Sequence, residues 1–170
     1  SKVKARFGGK IKFFVSGGAP LSKQLAEFFA AVDITILEGY GLTETSPVLT
    51  VNSPTDLRFG SVGKTLFNVE VKIADDGEIL AKGPNIMTGY YKDKKSTEEV
   101  FDNEGWFKTG DIGHIDNEGF LKITDRKKSL IVTSAGKNIA PAPIEVKLTS
   151  SSFIEQVHII GDKRNYLTAL

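Results

Sequence analysis

Between Lys10 and Leu37 the sequence passes through four segments in a fixed order, and that order restricts the fold more than any other feature. Lys10 to Ser16 is a run with an apolar centre, as in a strand buried in a parallel sheet. Gly17-Gly18-Ala19-Pro20 breaks it. Leu21, Leu25, Phe28, Phe29 and Val32 then recur at helical spacing and predict an amphipathic helix over 21–32, with Ser22 or the preceding turn as cap and Pro20 near its start. Ile34 to Leu37 reads as the next strand. Strand, glycine turn, helix, strand is a β-α-β unit, so the loops 17–20 and 38–44 should open on one edge of the sheet.

The second of those loops holds the densest chemistry: Glu38-Gly39-Tyr40-Gly41-Leu42-Thr43-Glu44-Thr45. No apolar periodicity runs through it, and its two glycines let the backbone take conformations that other residues resist. Tyr40 offers a flat face, Thr43 a hydroxyl able to reach a phosphate, and Glu44 a hard oxygen ligand for a cation such as Mg2+. Taken alone, the segment reads as a glycine-rich turn with a solvated glutamate.

Beyond Pro47 the strand-like pieces shorten. Val69 to Ala74 and Glu78 to Lys82 flank Asp75-Asp76-Gly77, a strong hairpin signal. Gly113 to Asp116 and Phe120 to Thr124 flank Asn117-Glu118-Gly119, a second one. Between the hairpins, Lys95 to Phe101 predicts a short helix opened by Ser96 with Glu99 three residues on. Residues 55–124 thus read as a small antiparallel, barrel-like part. Asp125-Arg126-Lys127-Lys128 is a polar knot between apolar runs; Lys127 reads as a solvated linker charge, and Arg126 is open to the same reading. After it come a strand at Leu130 to Thr133, a loop through Asn138, a helix near Ile144 to Leu148, and strands at Val157 to Gly161 and Tyr166 to Leu170. Trp106, Phe107 and Phe101 are expected in a core, and His114 and His158 as structural or surface histidines.

The totals exclude several classes. The 170 residues carry a net charge of +1, which gives no basis for a nucleic-acid partner. There is no cysteine, hence no disulfide, zinc–thiolate site or cysteine nucleophile within this chain. No apolar stretch approaches the ~20 residues of a membrane span. The expectation is a soluble, cytoplasmic protein, with peripheral membrane association left open.

Four motifs now stand in series: Ser16-Gly17-Gly18-Ala19-Pro20-Leu21, the 38–45 segment, Trp106-Phe107-Lys108-Thr109-Gly110-Asp111, and Asp125-Arg126-Lys127-Lys128. Gly77-Glu78-Ile79-Leu80 with Gly83 and Gly89-Tyr90-Tyr91 adds a fifth. In this order they resemble the adenylate-forming superfamily of acyl-CoA synthetases, luciferases and peptide-synthetase adenylation domains. Residues 125–128 and 133–141 look most like bacterial long-chain fatty acid–CoA ligases. An aryl- or aminoacyl-adenylating relative and a non-catalytic nucleotide-binding module are the alternatives. The resemblance implies a mixed α/β fold: the end of a layered β-α-β sheet domain (1–54), the barrel-like part (55–124), then a hinge and the start of a small α+β domain (125–170).

It also implies a reaction, in which a fatty acid carboxylate attacks the α-phosphate of ATP with Mg2+ present, and coenzyme A then displaces AMP. By resemblance, Gly17, Gly18, Ala19 and Pro20 wall one side of an adenine slot and Tyr40 closes the other. Glu38 and Gly39 face the amino edge of the base, Gly41 continues that segment, and Thr43 bonds the α-phosphate. Glu44 holds Mg2+, Asp111 accepts from both ribose hydroxyls, and Arg126 reaches the ribose or phosphate edge. Lys128 matches the hinge, and Gly136 and its neighbours approach pantetheine. The family's loop for the β- and γ-phosphates and its small-domain catalytic lysine are expected upstream of Ser1 and downstream of Leu170, since neither Lys137 nor Lys163 matches that lysine's motif. The expectation is a fragment of a longer ligase, with the other parts of the parent chain as partners and little or no activity alone.

Overall fold

The computed structural model describes residues 2–170. A short helix, α1 (Lys2–Arg6), leads to strand β1 (Phe13–Ser16), and Phe7 packs edge-on against Phe14 at 5.3 Å. Helix α2 (Lys23–Ala31) follows the glycine turn and returns the chain to β2 (Thr35–Gly41). Ser22 caps α2 by accepting the Leu25 N–H at 3.1 Å, as the sequence predicts. Strands β1 and β2 are parallel, with Ser16 beside Glu38, so the β-α-β unit forms. Two expectations fail here. Phe13 and Val15 are exposed, because β1 is an edge strand and one of its faces has no cover among the described residues. Leu25 and Phe28 are exposed as well, and α2 buries Ala26 instead.

Strand β2 also runs further than Leu37. It continues through Gly41 because β3 (Val48–Val51) folds back antiparallel on it, pairing Gly39 with Val51 and Tyr40 with Thr50 before a register shift at Tyr40/Gly41. Strand β4 (Lys64–Thr65) completes the sheet, in order β1-β2-β3-β4. The second sheet is an antiparallel meander of β5 (Glu70–Ile73), β6 (Glu78–Lys82), β7 (Phe107–Ile115) and β8 (Leu121–Arg126). Both predicted hairpins are present as β5–β6 and β7–β8. Helix α3 (Lys94–Val100) is capped by Asp93 rather than Ser96. Asp93 accepts both the Ser96 N–H at 3.0 Å and the Ser96 hydroxyl at 2.7 Å, which spends the serine as a donor.

The sheets meet where Val62 N–H donates to Leu121 O and Leu121 N–H to Gly63 O, each at 2.9 Å. Between them lies a core of Leu49, Ile79, Ala81 and Leu121, with the Tyr40 ring among them. Leu49, Ile79 and Leu121 are all but fully buried, a contribution of roughly 1.5–3 kcal/mol each. Phe107 is buried against Phe101, as expected, while Trp106 lies under the Lys72 ammonium at 4.2 Å. The remainder comprises β9 (Ile131–Val132), β10 (Asn138–Ile139), α4 (Ala142–Thr149), β11 (Ile159–Ile160) and β12 (Thr168–Ala169). It joins β8 through buried Asp125, whose Oδ2 accepts the Ala142 N–H at 3.2 Å. No described helix is long and apolar enough to cross a membrane.

Candidate nucleotide site

The parallel pairing of β1 and β2 sets the turn after β1 against the segment that begins at Glu38. A Cβ on Gly17 would stand 3.4 Å from the Gly39 carbonyl, so the exposed turn Gly17, Gly18, Ala19, Pro20 lies directly alongside β2. Glu38 is buried, and that burial pushes its carboxyl above the usual carboxylate range, with the Gly60 N–H partly offsetting it. Tyr40 is buried too. Its hydroxyl donates to Asp111 Oδ2 at 2.7 Å, and burial, reinforced by that carboxylate, raises the phenol far above its ordinary value. Asp111 sits inside β7, not in a turn, and faces Arg126 across the β7–β8 register. Arg126 Nε is 3.7 Å from Asp111 Oδ1, yet the side chain is 79% exposed, so this pair contributes little to stability.

Beyond Gly41 the chain turns through a 3-10 segment, Thr43–Thr45. Thr43 is exposed and Glu44 half-buried, whereas Thr45 is fully buried. The Thr45 hydroxyl accepts the Leu42 N–H at 2.9 Å and donates to the Pro47 carbonyl at 2.5 Å, which fixes the loop's shape. Gly39 and Gly41 serve this passage by lacking side chains, not through unusual dihedrals: neither has a positive φ. A Cβ on Gly41 would fall 1.6 Å from the Pro47 carbonyl oxygen. Glu44 presents its carboxylate beside Tyr90, whose hydroxyl donates to Oε1 at 3.0 Å. The structure thus gathers Gly17 to Pro20 and Glu38 to Glu44 on one edge, with Asp111 and Arg126 reached through Tyr40.

Residues 1–91 match the AMP-binding enzyme family, and residues 128–170 match the AMP-binding enzyme C-terminal domain. The chain belongs to the AMP-binding enzyme family. A long-chain-fatty-acid–CoA ligase of Mycobacterium bovis is 45% identical over 169 residues, covering 99% of this chain and 28% of the relative. A 2-succinylbenzoate–CoA ligase of Listeria monocytogenes is 45% identical over 153 residues, covering 89% of this chain and 32% of the relative. Among solved structures, o-succinylbenzoate coenzyme A synthetase from Bacillus subtilis in complex with ATP and magnesium ion superposes with a TM-score of 0.81 at 34% identity, over 99% of this chain and 39% of that one. The chain therefore spans between a quarter and two fifths of the length of these AMP-binding relatives.

One feature of this AMP-binding chain lay outside sequence reasoning. Lys127 is not a solvated linker charge: its ammonium contacts Asp76 Oδ2 at 2.6 Å and Glu78 Oε2 at 2.7 Å. The other Glu78 oxygen accepts the Gly110 N–H at 2.9 Å, one residue from Asp111. The acidic turn that signalled a hairpin was the available clue, but only the fold brings Lys127 to it. Lys128, in the 3-10 turn Lys127–Ser129, is exposed and makes no ion pair among the described residues. No group of three or more His, Cys, Asp or Glu suited to a cation occurs among the described residues. That does not disfavour Mg2+, which binds through one or two carboxylates plus substrate phosphates and water. The free oxygen of Glu44 fits that mode.

Proposed function

We propose that this chain is the adenosine-binding part of an AMP-forming acid–thiol ligase that activates long-chain fatty acids. The observation that carries the reading is the Tyr40–Asp111 bond, which sets a buried acceptor-only carboxylate behind the end of the β1–β2 pair. A carboxylate there suits two ribose hydroxyls, which are donors. On this reading Gly17, Gly18, Ala19 and Pro20 flank adenine on one side, and Glu38 to Gly41 flank it on the other. Thr43, exposed at the loop tip, donates to the α-phosphate, and Arg126 lies over the ribose edge. Glu44 holds Mg2+, which offsets polyphosphate charge when bound. The substrate carboxylate oxygen bonds to the α-phosphorus as pyrophosphate leaves; the thiol of coenzyme A then bonds to the acyl carbon as AMP leaves. Residues 1–124 belong to the nucleotide-binding part and 125–170 to a hinge and small domain. Lys128, without an ion pair among the described residues, is the hinge, and the protein works in the cytoplasm.

A second reading has equal identity behind it, since the Listeria relative is named for 2-succinylbenzoate and is also 45% identical. The full-length chain carrying this sequence, assayed for thioester formation with oleate and with 2-succinylbenzoate, separates the two. The fatty-acid reading expects oleate to be preferred; a preference for 2-succinylbenzoate replaces it with the aryl one. Calorimetry with AMP tests the site itself, and an Asp111→Ala chain that binds AMP as tightly as the parent sinks the ribose assignment.

A further inference from the structure

The Glu44 loop is fastened from outside by one strap, residues 83–90, the first part of the connection from β6 to α3. Met87 N–H donates to the Glu44 carbonyl at 2.8 Å. Asn85 Nδ2 donates to the carbonyls of Thr45 at 2.8 Å and Val48 at 3.1 Å, on either side of the loop's left-handed turn at Ser46. Tyr90 then reaches the side chain itself, at Glu44 Oε1. Tyr90 is in turn held in place. Its N–H donates to Thr97 Oγ1 at 2.9 Å, and Thr97 donates to the Asp93 carbonyl at 2.7 Å in the first turn of α3. Beside it, Gly89 adopts φ 150°, where a Cβ would stand 2.7 Å from Thr97.

We propose that Tyr90 is a positioning residue that aims the Glu44 carboxylate at a divalent cation. The inference rests on the metal reading of Glu44 given above. Tyr90 is itself partly exposed, so its hydroxyl would find water as an alternative partner and the bond adds little to stability. Its effect is directional. A donor on Oε1 removes the carboxylate's rotational freedom and leaves Oε2, which has no hydrogen-bond partner among the described residues, as the oxygen presented to a hard cation. Met87 and Asn85 fix the backbone from which that side chain projects, so the strap sets both ends of Glu44.

The test uses the full-length chain, Mn2+ as the reporter ion, and an ATP analogue with a methylene group between its α- and β-phosphorus atoms. Free Mn2+ is followed by electron paramagnetic resonance. Tyr90→Phe should weaken Mn2+ binding about tenfold, the low end for loss of an outer partner at a metal site. Its AMP affinity in metal-free buffer should stay at the parental value. Glu44→Gln is the control for the underlying reading. If Glu44→Gln leaves Mn2+ affinity intact, the metal assignment fails and this inference with it. If Glu44→Gln weakens Mn2+ binding and Tyr90→Phe does not, the positioning role alone is overturned. Loss of metal-free AMP binding by Tyr90→Phe, in the same ratio as Mn2+ binding, also overturns it, because the damage would then be general.

Discussion

Tyr40 of the first sheet donates its hydroxyl to Asp111 of the second at 2.7 Å, and both residues are 8% exposed. Tyr40 therefore serves two purposes with one side chain. Its ring fills the core between the sheets, and its hydroxyl orients a carboxylate at the candidate ribose position. Tyr40→Phe keeps the ring and removes only the donor, leaving a buried oxygen of Asp111 unsatisfied. The expected cost is about 1–3 kcal/mol in denaturant unfolding. AMP affinity should fall about tenfold, equivalent to ~1.4 kcal/mol. A variant that loses stability but binds AMP normally would make the bond a core contact and nothing more.

Glu38 gives a prediction of the opposite sign. Its carboxyl is held above the usual range by burial, so the folded state favours the protonated form. For a raised pKa, the stabilising contribution is complete below the unfolded value of about 4.3 and is lost as pH rises through the folded one. At neutral pH the buried charge is a burden. Glu38→Gln, neutral and of the same shape, should match the parent near pH 4 and exceed it at pH 7 in urea midpoint. A variant less stable than the parent at both pH values would contradict this account.

Lys127 shares that sign, far higher on the pH scale, and its partner Asp76 has the reverse. Hydrogen bonds to Asp76 and then Glu78 raise its ammonium, and the same contact lowers Asp76. The lysine's contribution is present below its ordinary value and lost as pH rises through the raised one; that of Asp76 is lost as pH falls through its lowered one. The clamp should therefore hold across the whole neutral range. Lys127→Met should cost about 1 kcal/mol, discounted from the usual value for charged hydrogen bonds because the side chain is 43% exposed. In 1 M salt the gap between parent and variant should narrow. A gap indifferent to salt would mean that the lysine stem, not its charge, does the work.

How much of this was legible in the sequence depends on contact range. The β-α-β unit and both hairpins were readable because apolar period and turn residues are local signals, as at Asp76-Gly77 and Gly119. The fate of residues 38–41 was not. A glycine-rich run after a strand looks like a loop until β3 arrives to pair with it. The α3 cap failed for a smaller reason: Asp93 and Ser96 are both good cap residues, and the carboxylate accepts while the hydroxyl donates. The Tyr40–Asp111 bond spans 71 positions and the Lys127–Glu78 bond 49, and no local pattern encodes either. Motif order brought the candidate site residues into view, along with Glu78 and Tyr90, but the contacts that Tyr90, Asn85 and Glu78 make around them came only with the fold.

The glycines of β2 supply a sharper test of how tightly the candidate loop is pinned. A methyl on Gly41 would lie 1.6 Å from the Pro47 oxygen and 2.9 Å from Val48 Cα. Neither atom can retreat cheaply, since Pro47 O accepts from buried Thr45 and Val48 pairs with Gly41 across the sheet. A methyl on Gly39 meets nothing nearer than 3.4 Å, the Thr50 carbonyl. Gly41→Ala should therefore cost more than about 3 kcal/mol, while Gly39→Ala should cost about 1 kcal/mol or less. Guanidinium unfolding of the two variants side by side measures the difference. Equal, small losses would mean that the chain from Thr43 to Pro47 moves aside without penalty, and a loop that yields so readily could not hold Glu44 in one place.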